Sequence, residues 1–99
     1  MKVIDELKKN GINFIDINSL HIFINTKEIK YDRLKDSLED LIENIKDIEY
    51  DEDYGGQELF GLILMNDNSW FERGEYDGSE WWQHKRQITK YDVFNFDLQ

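Results

Sequence analysis

Between Leu34 and Ile48 the apolar residues Leu34, Leu38, Leu41, Ile42, Ile45 and Ile48 return every three or four positions. Only a helix, turning once in about 3.6 residues, gathers such a series onto one side. Asp32 stands where an N-cap is wanted, so the spacing predicts a helix from there to about Ile48. A chain with that stripe must also supply an apolar surface to cover it.

The rest of the sequence reads as that surface. KVIDELKKN (residues 2–10) places Val3, Ile4 and Leu7 at helical spacing, and Gly11 follows as a left-handed C-terminal cap. INFIDINSLHIFIN (12–25) is β-branched, aromatic and alternating, with Leu20, Ile22 and Ile24 on one face. It reads as one strand or a strand pair broken near Asn18 and Ser19. LFGLILM, WFERGEY and SEWWQHKR, separated by NDNS and DG, form a three-stranded meander. The tail YDVFNFDL alternates Phe94, Phe96 and Leu98 and reads as a last short strand or a flap over the sheet. The fold class expected is α+β: an antiparallel sheet, made of the meander and an N-terminal strand or hairpin, packed against two helices.

Within the meander, a two-residue turn at Asp77-Gly78 sets Gly74 opposite Trp81 and Arg73 opposite Trp82. A turn at Asp67-Asn68 sets Met65 opposite Trp70 and Leu64 opposite Phe71. One face then carries Phe60, Leu62, Leu64, Phe71 and Trp82, with Arg73 and His84 toward one side, and is the expected core face. The other carries Ile63, Met65, Trp70 and Trp81.

Length bounds the chain to a single domain, 1–99, with a modest core. The absence of cysteine removes disulfides and thiolate metal sites, and no apolar run approaches the roughly 20 residues of a membrane helix. A soluble, cytoplasmic chain is the expectation. Charge narrows the partners: 22 acids against 12 bases give −10. Phosphate binding runs on Lys and Arg, so direct contact with nucleic acid or anionic membrane is excluded and a partner reached electrostatically is basic.

The acids are not scattered. On the expected helix Asp36, Asp40, Glu43 and Asp47 fall in a narrow stripe opposite the leucines, and the stripe continues into Asp51 and Asp53. Like charges at i,i+4 cost a helix a few tenths of a kcal/mol each. A single-sign row therefore points to a binding ridge whose carboxylates stand in for backbone phosphates, with Lys46 at its edge neutralising little. Trp70, Tyr76 and Trp81 are the candidate aromatic anchors of such an interface.

Sharper chemistry finds little support. From Asp51 a calcium loop fails at Gly55 and Leu62. Gly55-Gly56-Gln57 matches the tripeptide of peptide-release factors but lacks their basic surroundings. His21 and His84 lie in different elements, and Glu72, Glu75 and Glu80 form a carboxylate group of the kind an acid-rich chain produces by chance. Ser19, Ser37, Ser69 and Ser79 have no nucleophile motif. No cofactor, metal or catalytic residue is expected, and a small metal-dependent hydrolase is the least supported class.

GGQELFG followed by ERGEYDGSEWW, across residues 54–83, resembles a signature of small, mostly uncharacterised proteins of phages, prophages and other mobile elements. The resemblance implies an anti-defence context, including inhibition of CRISPR effectors by protein contact. Ridge and context together point to a non-enzymatic acidic inhibitor of a host nucleic-acid-binding defence complex. The alternative is an accessory module that self-associates, as a homodimer, through its aromatic sheet face.

Overall fold

The computed structural model describes residues 2–24, 27–50, 59–76, 79–87 and 90. Helix α1 spans Val3–Lys9, a 3-10 turn Phe14–Asp16, strand β1 Ile17–Ile24, β2 Lys27–Asp32, helix α2 Leu38–Ile45, β3 Leu59–Met65, β4 Trp70–Tyr76 and β5 Ser79–Lys85. The strands form one antiparallel sheet in the order β2-β1-β3-β4-β5. The fold is α+β, a β1–β2 hairpin joined to the β3–β5 meander and two helices on one face.

Helix α1 ends as the sequence predicts. Gly11 adopts φ +77, its N–H donates to the Lys8 carbonyl, and the Ile12 N–H donates to the Leu7 carbonyl at 3.0 Å. This pair of bonds satisfies carbonyls the helix end leaves open, and Leu7 and Ile12 are both buried beneath it. The Val3 N–H donates to the Ile48 carbonyl at 2.9 Å, which fastens the start of α1 to the chain leaving α2.

Helix α2 is shorter than its apolar spacing implies. Asp32 caps only a turn: its Oδ1 accepts from Leu34 N–H, and its carbonyl from Lys35 and Asp36 N–H. The helix begins afterwards, where Ser37 Oγ accepts from the Asp40 N–H at 3.1 Å. Leu34 therefore lies outside the helix and is 88% exposed, whereas Leu41 and Ile45 are buried. Residues 27–32, where the sequence pattern predicts no element before the cap at Asp32, form the edge strand β2, with Ile29 and Tyr31 facing the core. The irregularity expected near Asn18 and Ser19 is a bulge within one continuous strand, a register shift between Ile17 and Ser19 against β3.

The β4–β5 register is as expected: Gly74 pairs with Trp81 and Arg73 with Trp82. The β3–β4 register is not. Leu64 pairs with Trp70 and Ile63 with Phe71, one residue from the expected pairing. The connection is a three-residue loop in which Asn68 N–H donates to the Met65 carbonyl, Met65 N–H donates to the Ser69 carbonyl, and Asn68 takes φ 69. A one-residue change moves every β3 side chain to the other face. Leu59, Ile63 and Met65 thus enter the core with Leu20, Ile22, Ile24, Phe71 and Trp82, while Phe60, Leu62 and Leu64 face outward.

These placements separate two leucines of one periodic series. Leu41→Ala should lower unfolding free energy by about 2–5 kcal/mol. Leu34→Ala should change it by less than about 0.5 kcal/mol. Urea melts of the two variants check both values, and equal losses would place Leu34 in the helix–sheet interface.

Candidate functional site

The sheet and helices are joined by a polar cluster inside the core. Arg73, on the inner face of β4, has its side chain 1% exposed and is flanked by Glu6 of α1 and Glu80 of β5, 8% and 6% exposed. Arg73 Nη1 donates to Glu6 Oε1 at 2.5 Å and Nε to Glu80 Oε1 at 3.3 Å. Nη2 donates to the Tyr50 hydroxyl at 3.1 Å, and that hydroxyl donates to Glu6 Oε2. The guanidinium lies over the Tyr50 ring at 5.2 Å and the Trp82 ring at 5.4 Å. Glu80 Oε1 also accepts from the Leu59 N–H, so the cluster reaches β3. Burial disfavours the Arg73 charge, but its bonds with Glu6 and Tyr50 outweigh this and raise its pKa. Burial and the bond to Glu6 push the Tyr50 phenol well above its ordinary value, against the opposing pull of Arg73.

Three members of this cluster escape a motif search, and two of them leave a sign. Glu6 sits between Val3 and Leu7 on the apolar side of α1. Arg73 falls on the core face of the meander, and a buried guanidinium requires an acceptor. Tyr50 carries no periodic signal, because its position is set by the chain leaving α2 rather than by an element.

The acidic ridge is brought together in part. Asp36, Asp40 and Glu43 border one open hollow of about 240 Å³ beside Lys30, Tyr31 and Asn44. All three are exposed, as is Asp47 in the turn after α2. Asp36 Oδ2 accepts from the Asp32 N–H at 2.9 Å, which fixes the first carboxylate of the row. Lys46 is closer to the ridge than expected, its Nζ 2.9 Å from Glu43 Oε2, and this raises the lysine's pKa. Asp51 and Asp53 lie outside the described residues.

The aromatic candidates occupy the outer face of the sheet. Trp81 and Tyr76 are exposed, and Trp70 is half-buried with its indole N–H donating to Glu72 Oε1 at 2.8 Å. That bond, then Lys85 at 3.0 Å, holds the Glu72 carboxyl below its usual range. Strands β4 and β5 stand three and four places from β2, about 14–19 Å across the sheet at about 4.8 Å per strand. The ridge flanks β2 on the helix side. Ridge and aromatics are therefore two surfaces, not one.

Of the remaining sequence candidates, Glu75 and Glu80 pair across β4 and β5, and the others are dispersed. Glu72 faces outward while Glu80 is engaged inside by Arg73, so these two carboxylates do not converge. Asp67, Ser69 and His84 share an open hollow of about 420 Å³ with Asp16 and Phe71. There the Ser69 hydroxyl donates to Asp67 Oδ1 and the His84 ring stacks on Phe71 at 4.5 Å, so neither forms a nucleophile–base pair with the other. The bonds from the Ser69 side chain and backbone hold Asp67 below its usual range. Among the described residues no group of three His, Asp or Glu is placed to hold a metal, and no helix is long and apolar enough to cross a membrane.

Arg73→Met should destabilise the fold by about 3–5 kcal/mol, since it leaves two buried carboxylates without their cation. Tyr50→Phe should cost about 1–2 kcal/mol. The raised Tyr50 pKa fixes a pH dependence: below 10.0, the ordinary tyrosine value, folded and unfolded phenol are both protonated and the contribution is complete. Above it the unfolded chain loses that proton first, so stability falls as pH rises. Wild type should lose stability more steeply than Tyr50→Phe above that pH in urea melts, and parallel curves would remove Tyr50 from the cluster.

Compared with known protein families, curated proteins and solved structures, the chain matches none.

Proposed function

We propose that this chain is a non-enzymatic acidic protein of a phage or other mobile element that binds and inhibits a host nucleic-acid-binding defence complex. The observation that carries the reading is the row Asp36, Asp40 and Glu43, three exposed carboxylates around one hollow, continued by Asp47. Nucleic-acid-binding proteins present Lys and Arg along grooves that neutralise phosphates. A fixed row of carboxylates meets the same groove with the same sign of charge. Of the cations near it, Lys46 on Glu43 is an exposed pair that contributes little and yields readily to a better partner, and Lys30, which borders the same hollow, is paired with Glu28.

The chain's net charge of −10 supports the same reading through encounter rate, since a strongly acidic body is steered toward a basic cleft. The resemblance of residues 54–83 to mobile-element proteins supports the anti-defence context. The partner is a basic protein or ribonucleoprotein effector in the host cytoplasm.

Capture from a nuclease-treated host lysate tests the proposal, with wild type beside a folded variant carrying Asp36→Lys, Asp40→Lys, Glu43→Lys and Asp47→Lys. Wild type should retain a nucleic-acid-binding protein that is eluted by moderate salt, and the variant should lose it. Equal retention by both would move the interface away from the ridge.

A further inference from the structure

The outer face of the sheet is an apolar surface that the acidic ridge does not explain. Phe23, Phe60, Leu62, Leu64, Tyr76 and Trp81 all point outward and expose between 38% and 76% of their surface. Aromatic side chains offer roughly 150–250 Å² each, so this face presents on the order of 500 Å² of apolar area. Exposed patches of that extent mark interaction surfaces.

From this face we infer a reversible homodimer in which two sheets pack outer face to outer face. Three observations favour a second copy over another occupant. The first is charge. In a chain of −10, the charged side chains of this face come in opposite pairs, Lys30 Nζ 3.4 Å from Glu28 Oε1 and Lys85 Nζ 3.0 Å from Glu72 Oε2. Asp32, at the end of β2, turns its carboxylate to the Leu34 N–H. These residues carry three acids against two bases, so the face is a region where two copies of an acidic chain approach with little like-charge repulsion.

The second is shape. A hollow of about 230 Å³ opens between β1 and β3, bordered by Ser19, His21, Leu62 and Leu64. On β5, the indole of Trp81 reaches over Gly74 of β4, so close that a Cβ there would fall 2.8 Å from Trp81 Cε2. The hollow and this aromatic ring sit about 7–10 Å apart across the strands of one face, one and a half to two strand spacings. A two-fold axis between them sets the ring of each copy over the hollow of the other, the self-complementary arrangement a dimer requires.

The third is area. A standard interface takes about 800 Å² from each partner. The apolar patch supplies more than half, and its polar rim, with His21, Glu28, Lys30, Glu72, Gln83 and Lys85, supplies the remainder.

The dimer does not rest on the ridge's partner: it leaves both ridges open on the helix side. Sedimentation equilibrium of the full chain over a concentration series, at low and high salt, tests it. Wild type should form a dimer that salt does not weaken, and the ridge quadruple-lysine variant should dimerise equally. Leu62→Glu and Phe60→Glu, each on an exposed side chain, should raise the dissociation constant at least about 30-fold, with native circular dichroism retained and the Tm of wild type approached at low protein concentration. A wild type that stays monomeric throughout would overturn the proposal and leave the face to another occupant. Dimers that survive both substitutions would overturn it as well.

Discussion

A guanidinium buried between two carboxylates, under two aromatic rings, ties the sheet to α1 and to the chain leaving α2. Arg73 touches groups from α1, the chain leaving α2, and β5, while Glu80 adds the backbone of β3. Removing a charge from water costs several kcal/mol, so the cluster persists only because most of its donors find acceptors. That requirement fixes orientation. Apolar contacts alone would tolerate α1 sliding along the sheet, whereas Glu6 reaches Arg73 from one position of the helix. The neighbouring bond from Val3 N–H to the Ile48 carbonyl holds the same position from the backbone side.

With the helices committed to one face, the sheet divides the surface in two. The helix side carries the exposed carboxylates near β2, and the outer side carries the aromatics of β4 and β5. The two surfaces obey different physics. Salt weakens contacts of the first by screening, and the second, driven by apolar burial, is not weakened in that way. The two proposed modes of association are therefore separable, and a mutation on one surface should leave the other intact.

Much of the fold was legible in the sequence, and the failures share a cause. Period and turn chemistry identified α1 with its Gly11 cap, the three meander strands and the β4–β5 register. The spacing of Leu34 continues the helical series, while the actual start is set by Ser37, whose hydroxyl takes the Asp40 N–H. A two-residue turn at Asp67-Asn68 would send Phe60, Leu62 and Leu64 into the core. Asn68 in the left-handed region makes the loop three residues long and turns β3 over. Both errors concern single hydrogen bonds at the ends of elements, which periodicity does not report. The ridge acids were legible as a group because helical spacing is forgiving. Their separation from the aromatic anchors was not, since it follows from strand order, and β1 enters the sheet between β2 and β3.

If the carboxylate row takes the place of nucleic acid on a basic partner, as proposed, chain and nucleic acid compete for one groove. Competition binding tests it most directly: the captured effector, saturated with its own nucleic acid, is titrated with this chain across a range of salt concentrations. The account predicts mutually exclusive binding, with affinity for the chain falling steeply as salt rises. A stable ternary complex of effector, nucleic acid and chain, with affinity indifferent to salt, would contradict it.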